Sequence, residues 1–155
     1  MKKIAMVLLG SILLAGTVAC ENNVSKTSAS APNSTEKTGE TPTTETAQTN
    51  QNDATSEVRR NQLNSDIRAR EQRNNWTGGD ADRADSDVAS EVSSKLEANI
   101  PKSQLTVKAK QGAVVVSGTV QTQEQLNKIE PLAKEIKGVQ SVNVAAKVSP
   151  AVPAQ

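Results

Sequence analysis

The sequence predicts an α+β fold: a single small αββαβ domain, with two helices on one face of a three-stranded mixed sheet, behind a long disordered N-terminal tether. Three observations predict it. Apolar residues make up only 35% of the 155 residues, below the ~45–50% of ordinary globular chains, and most of them lie in 1–20 and 86–148. Within 86–148 the apolar spacing switches between a period near four and a period of two, the marks of helix and strand. The pair Gln111-Gly112 separates two alternating runs, the signal of a two-residue hairpin. The core must therefore come from about 60 residues, a size at which a domain is marginal but viable.

Each element follows from local chemistry. Val88, Val92 and Leu96 recur every fourth residue beside Ala89, which gives an amphipathic helix over about 86–98. Asp85 or Ser86 is its expected N-cap, and Asp87 and Glu91 suit the positive end of its dipole. Leu105, Val107 and Ala109 then alternate with Thr106, Lys108 and Lys110 as a half-buried strand. A two-residue turn pairs Lys110 with Ala113, Ala109 with Val114, Val107 with Val116 and Leu105 with Gly118. One face then collects Leu105, Val107, Ala109, Val114 and Val116, and the other carries Thr106, Lys108, Lys110, Val115 and Ser117. Gly112 accepts the positive φ of the turn. Gly118 falls on the inner face, where a helix backbone is expected to approach.

Thr122 with Gln125 forms a capping box. Leu126, Ile129, Ala133 and Ile136 mark a second amphipathic helix, with a kink expected at Pro131, which cannot bond the carbonyl of Asn127. Gly138 is read as its C′ residue. Val142, Val144, Ala146 and Val148 alternate as a third strand, placed parallel to a neighbour by the helical crossover, which makes the sheet mixed. Pro150 and Pro153 close the tail.

The segment Gly112–Val120, GAVVVSGTV, is not a phosphate-cradling loop. The spacing is Gly-x5-Gly-Thr with no Lys, and the residues between are strand formers. Residues 80–91 match EF-hand positions only at Asp80, Asp82, Ser86 and Glu91. Asp85 stands where the sharp turn needs Gly, so no metal is expected there. With no His and no Tyr, the usual general bases are missing and no spacing groups Ser, Thr, Lys and carboxylates into a catalytic set. No enzyme, no cofactor and no catalytic residue is expected. The formal net charge of +1 does not select nucleic acid, and none is expected as a partner.

Residues 86–148 resemble a BON domain, a small module of bacterial envelope proteins. The resemblance rests on the Gln111-Gly112 hairpin, on Val114-Val115-Val116-Ser117-Gly118-Thr119-Val120, and on Ile136-Lys137-Gly138-Val139-Gln140-Ser141-Val142 leading into the last strand. It implies an αββαβ fold and a phospholipid-binding or transport-associated role tied to envelope integrity and stress. Lipid contact in that family can use aromatic residues on a helix; this domain has none. The family carries no general catalytic motif.

The N-terminus reads as an address. Lys2 and Lys3 precede an apolar run from Ile4 to Ala15, too short to span a bilayer comfortably. Thr17-Val18-Ala19-Cys20 resembles a bacterial lipoprotein signal, in which the Cys is lipidated and becomes the new N-terminus. Thr17 departs from the apolar residue common there. The other reading is an ordinary signal peptide cut after Ala19. One Cys permits no disulfide within the chain.

The chain thus divides into 1–19, a signal peptide; 20–56, a disordered tether poor in anything to bury; 57–85, a charged and partly helical linker; 86–149, the BON-like domain; and 150–155, a tail. A flexible tether over 21–56 would reach about 30–35 Å. Five Arg in 57–76, among Glu57, Asp66 and Glu71, read as a solvated helix or as a contact segment for anionic headgroups, cell wall or a partner. Trp76, the only aromatic residue, suits a membrane interface or a cap on the domain.

Lys108, Lys110 and Lys147 form the candidate basic face of the sheet, for anionic phospholipid or the membrane surface. The same lysines serve a solvated face that resists edge pairing. The expected function is a non-enzymatic envelope module, tethered to the membrane through Cys20 on the periplasmic side. The alternative is an adaptor for an envelope protein or the cell wall.

Overall fold

In a computed structural model of the chain, described over residues 23–77 and 83–153, the elements run β1 (Val24–Lys26), α1 (Thr44–Thr55), α2 (Glu57–Thr77), α3 (Asp85–Asn99), β2 (Gln104–Lys110), β3 (Ala113–Val120), α4 (Gln123–Lys134) and β4 (Ser141–Val148). The sheet order is β1-β2-β3-β4. β1 and β3 flank β2 antiparallel, and β4 lies parallel to β3. The sheet is mixed, as expected, but has four strands rather than three, and the described residues hold four helices rather than two.

The hairpin register is the one the alternation demands: Lys110 pairs with Ala113, Val107 with Val116 and Leu105 with Gly118. Gln111 at φ 49° and Gly112 at φ 79° make the turn, both left-handed as a two-residue hairpin of this kind requires. Leu105, Val107, Ala109, Val114, Val116 and Val120 are buried under Val88, Val92 and Leu96 of α3 and Ile129 and Ala133 of α4. Without Phe or Tyr, this core is built from aliphatic side chains, each worth about 1.5–3 kcal/mol when fully buried.

The helix ends differ in detail from expectation. Ala84 is the N-cap of α3 and makes no side-chain cap bond. Asp85 instead lies in the first turn and accepts the Gln111 N–H at 2.6 Å, which ties α3 to the hairpin. Thr122 caps α4 as read, through Gln125 N–H at 3.3 Å, but the Gln125 side chain reaches back to the N–H of Gln121. α4 continues through Pro131 and ends at Lys134 with Glu135 as its C-cap. Gly138, at φ 88°, therefore turns the chain toward β4 and is not the C′ residue.

The described part of the expected tether is structured. β1 adds to the free edge of β2, with Val24 opposite Lys108 and Lys26 opposite Thr106. The chain then crosses the outer face of the sheet: Thr106 donates to Pro32 O at 2.5 Å, and Thr27 N–H donates to Leu105 O at 2.9 Å. Polar composition hid this because backbone and hydroxyl groups make the contacts, not apolar side chains. α1 buries only Ala47 and Ala54. α2 packs antiparallel on α3 around Leu63, and its arginines supply the rest. Arg59 makes a bidentate pair with Glu97 at 2.6 and 2.8 Å, and Arg70 and Arg73 both reach Asp87.

Gly118 shows the tightest backbone constraint. Its φ is 120°, and a Cβ there would fall on the carbonyl oxygen of Gln104. The backbone that approaches is thus the neighbouring strand, not a helix. Gly118→Ala is expected to lower stability by roughly 3 kcal/mol or more, from left-handed strain plus the clash. Urea denaturation would read this as a lower midpoint with an unchanged slope.

Candidate functional site

The covering segment divides the outer sheet face. At the end where β2 begins, Gln104, Thr106, Ser117 and Thr119 are buried. At the hairpin end the face opens, with Lys110, Ala113, Ser141 and Asn143 exposed and Val115 half-buried. Lys108 and Lys110 stand here, two residues apart on one strand. Both point away from the helices, because Val107 and Ala109 between them are core.

Lys147 is on the same face but not in the same place. It pairs with Thr119, whereas Lys108 lines up through Val115 with Asn143. Two strand spacings and four residues separate them, roughly 16 Å. Alternation gave its face correctly; its row depends on the parallel register of β4, which alternation does not carry. The structure therefore brings Lys108 and Lys110 together and leaves Lys147 near the opposite end. Gly112, Gly118 and Gly138 hold positive φ and serve the backbone. Cys20 and the signal segment lie outside the described residues.

The described residues contain no group of three or more His, Cys, Asp or Glu able to hold a metal ion. Of the EF-hand matches, Asp80 and Asp82 lie outside the described residues, while Ser86 and Glu91 belong to α3. None of the helices among the described residues is long and apolar enough to cross a membrane. A depression of about 500 Å³ between the covering segment and the sheet is lined by Ser30, Pro32, Lys37, Thr43, Gln104 and neighbours. It groups no catalytic pair.

Among the described residues the most perturbed charge is Glu91, which was legible only as a dipole partner. It sits at the rim of the apolar stripe of α3, one position before Val92, and is 1% exposed. Its partner is Arg83, 2% exposed, at 3.4 Å. Arg83 also donates to Lys137 O at 2.6 Å. Glu91 Oε1 and the Nε and Nη2 of Arg83 have no hydrogen-bond partner, so the pair is poorly compensated for leaving water. Desolvation raises the Glu91 pKa to about 7, against the lowering pull of Arg83 and with a further push from Glu71 and Asp87.

This buried carboxyl makes stability depend on pH. The folded pKa lies above the unfolded one, so the native state binds the extra proton between pH 4.5 and about 7. Stability is then full below pH 4.5 and falls as pH rises through about 7, by on the order of 1–3 kcal/mol. Urea denaturation across pH should show this decline in the native chain, and Glu91→Gln, which mimics the protonated form, should flatten it.

Comparison with known proteins bears on the fold of this stretch. No curated protein and no solved structure matches the chain. The matching family model is that of the BON domain, over residues 84–150, and the family is one of envelope binding modules rather than known enzymes. The match takes in α3, the hairpin, α4 and β4, and leaves β1, α1 and α2 outside it. From Ala84 to Pro150, this chain matches the BON domain.

Proposed function

We propose that the chain is a non-enzymatic binding module of the cell envelope, tethered through an acylated Cys20, whose domain engages anionic phospholipid at the membrane surface. The observation that carries this reading is the open hairpin end of the outer sheet face. Lys108 and Lys110 project there beside half-buried Val115, while β2 and β3 are covered at the opposite end of the same face. Each Lys near an anionic surface contributes about 1 kcal/mol, enough to bias a tethered domain.

The test is co-sedimentation of the Cys20→Ser chain, freed of residues 1–19, with vesicles of graded phosphatidylglycerol content. Binding should rise with anionic lipid and fall with salt. Lys108→Gln with Lys110→Gln should weaken it by about tenfold or more, and Lys147→Gln should weaken it less. Absence of binding at low salt would exclude lipid recognition by the domain.

An adaptor role is the second reading, favoured by β4. This strand is an open sheet edge of eight residues, long for an unpaired edge. Ser141 and Ser149 direct their N–H groups toward the β3 side, at Gly112 O and Val120 O, so the intervening even-numbered residues turn theirs outward. A depression of about 430 Å³ lined by Leu126, Asn127, Glu130, Val144 and Ala146 lies beside it. An extended strand of an envelope protein would fit this edge. A Val144→Pro chain that captured the same envelope proteins as the native chain would remove β4 from consideration.

A further inference from the structure

We infer that the hairpin end of the domain, with Trp76 at its tip, is the end that docks on the headgroup surface of the bilayer holding the acyl chains of Cys20. The inference rests on the tethering proposed above and adds to it an orientation and a contact residue.

The first observation is where the chain leaves the fold. β1 runs antiparallel to β2, and Asn23 sits opposite Ala109, exchanging Ala109 N–H to Asn23 O at 3.2 Å and Asn23 Nδ2 to Ala109 O at 2.7 Å. Followed back from Lys26 to Asn23, the chain moves toward the hairpin. Only three residues of reach separate Asn23 from Cys20. At about 3.6 Å each at most, the Cα of Cys20 lies within about 11 Å of Asn23 by any path. The anchor is therefore confined to the neighbourhood of the hairpin end, in place of the long leash expected from composition.

The second observation is independent of the first. α3 starts at the hairpin end, where Asp85 accepts the Gln111 N–H. α2 packs antiparallel on α3, with Arg59 at Glu97 and Arg70 at Asp87. The last turn of α2 therefore comes to the hairpin end as well, and with it Trp76, which is 92% exposed. An indole this exposed leaves a large apolar area in water, and its N–H tip suits the membrane interface.

Exposed charge is mixed at both ends: Lys110, Lys137 and Arg68 lie at or toward this end with Asp66 and Glu135, and Glu45, Glu57 and Glu124 lie where α1, α2 and α4 begin, at the other, with Arg60 and Lys147. What fits an anionic bilayer surface at this end is an exposed Trp beside the anchor, with Lys110 and Lys137 exposed near it. β4 alone puts about 25 Å between the two ends.

Because Trp76 is the only Trp, its fluorescence reports this contact directly. The full acylated chain would be reconstituted into phosphatidylethanolamine–phosphatidylglycerol vesicles containing phospholipid brominated near the headgroup. Intact mass would first establish acylation of Cys20. We expect a blue-shifted Trp76 emission quenched by the brominated lipid. In a Trp76→Phe chain carrying Val152→Trp, at the far end and 48% exposed in the native chain, we expect neither effect. Solvent-like, unquenched Trp76 emission from an acylated chain would overturn the orientation and leave the anchor standing. So would equal quenching at both positions. An unacylated Cys20 would overturn the tethering and the orientation with it. The Trp76 reading is made on the native sequence and does not depend on how the variant folds.

Discussion

The two-residue turn at Gln111 and Gly112 is the constraint on which the remaining structure depends. Both residues are left-handed, which closes the hairpin without a bulge and fixes the register of β2 against β3. A slip of one residue would exchange the faces of a strand, turning Val114 and Val116 onto the outer face and Val115 and Ser117 toward the core under the helices. With no aromatic side chain in the domain, no single large residue could compensate. The turn also organises what lies around it: the Gln111 N–H binds Asp85 at the start of α3, and Gly112 O accepts the N–H groups of Gln140 and Ser141 as β4 begins. One corner of the fold thereby sets a helix start, a strand start and the open basic surface.

The αββαβ unit was legible because its signals are local. Alternation and fourfold spacing are properties of adjacent residues, and the hairpin pairing follows from turn length alone. The N-terminal elements were not legible for the opposite reason. β1 has three residues and joins the sheet through its backbone, which leaves no composition signal. α2 is held by Arg59 to Glu97 and by Arg70 to Asp87, pairs separated by 38 and 17 residues. Nothing in an arginine marks which distant carboxylate it will meet. Glu91 illustrates the same limit, since its place at the rim of an apolar stripe reads equally as exposed or buried until α2 and the stretch carrying Arg83 pack against α3. In the candidate site, the face of Lys108, Lys110 and Lys147 could be read, and the grouping could not, since it required the parallel register of a strand 30 or more residues away.

The structured N-terminal segment alters what weak lysine contacts can accomplish. A domain on a leash of about 30–35 Å would sample many orientations, and a few kcal/mol of surface attraction would have to recruit it as well as orient it. Under the proposed anchoring, a short link already holds the domain at the surface, so that attraction acts at high effective concentration and has only orientation left to settle. Two or three lysines at about 1 kcal/mol each suffice for that, although they would give a free domain only weak binding. Under the same proposal the sheet edge at β4 would stay beside the membrane instead of free in the surrounding space. Lipid contact and strand pairing would then be compatible uses of one proposed orientation: the hairpin end facing the bilayer, the eight-residue edge running away from it, and a partner's strand added along that edge held upright against the surface.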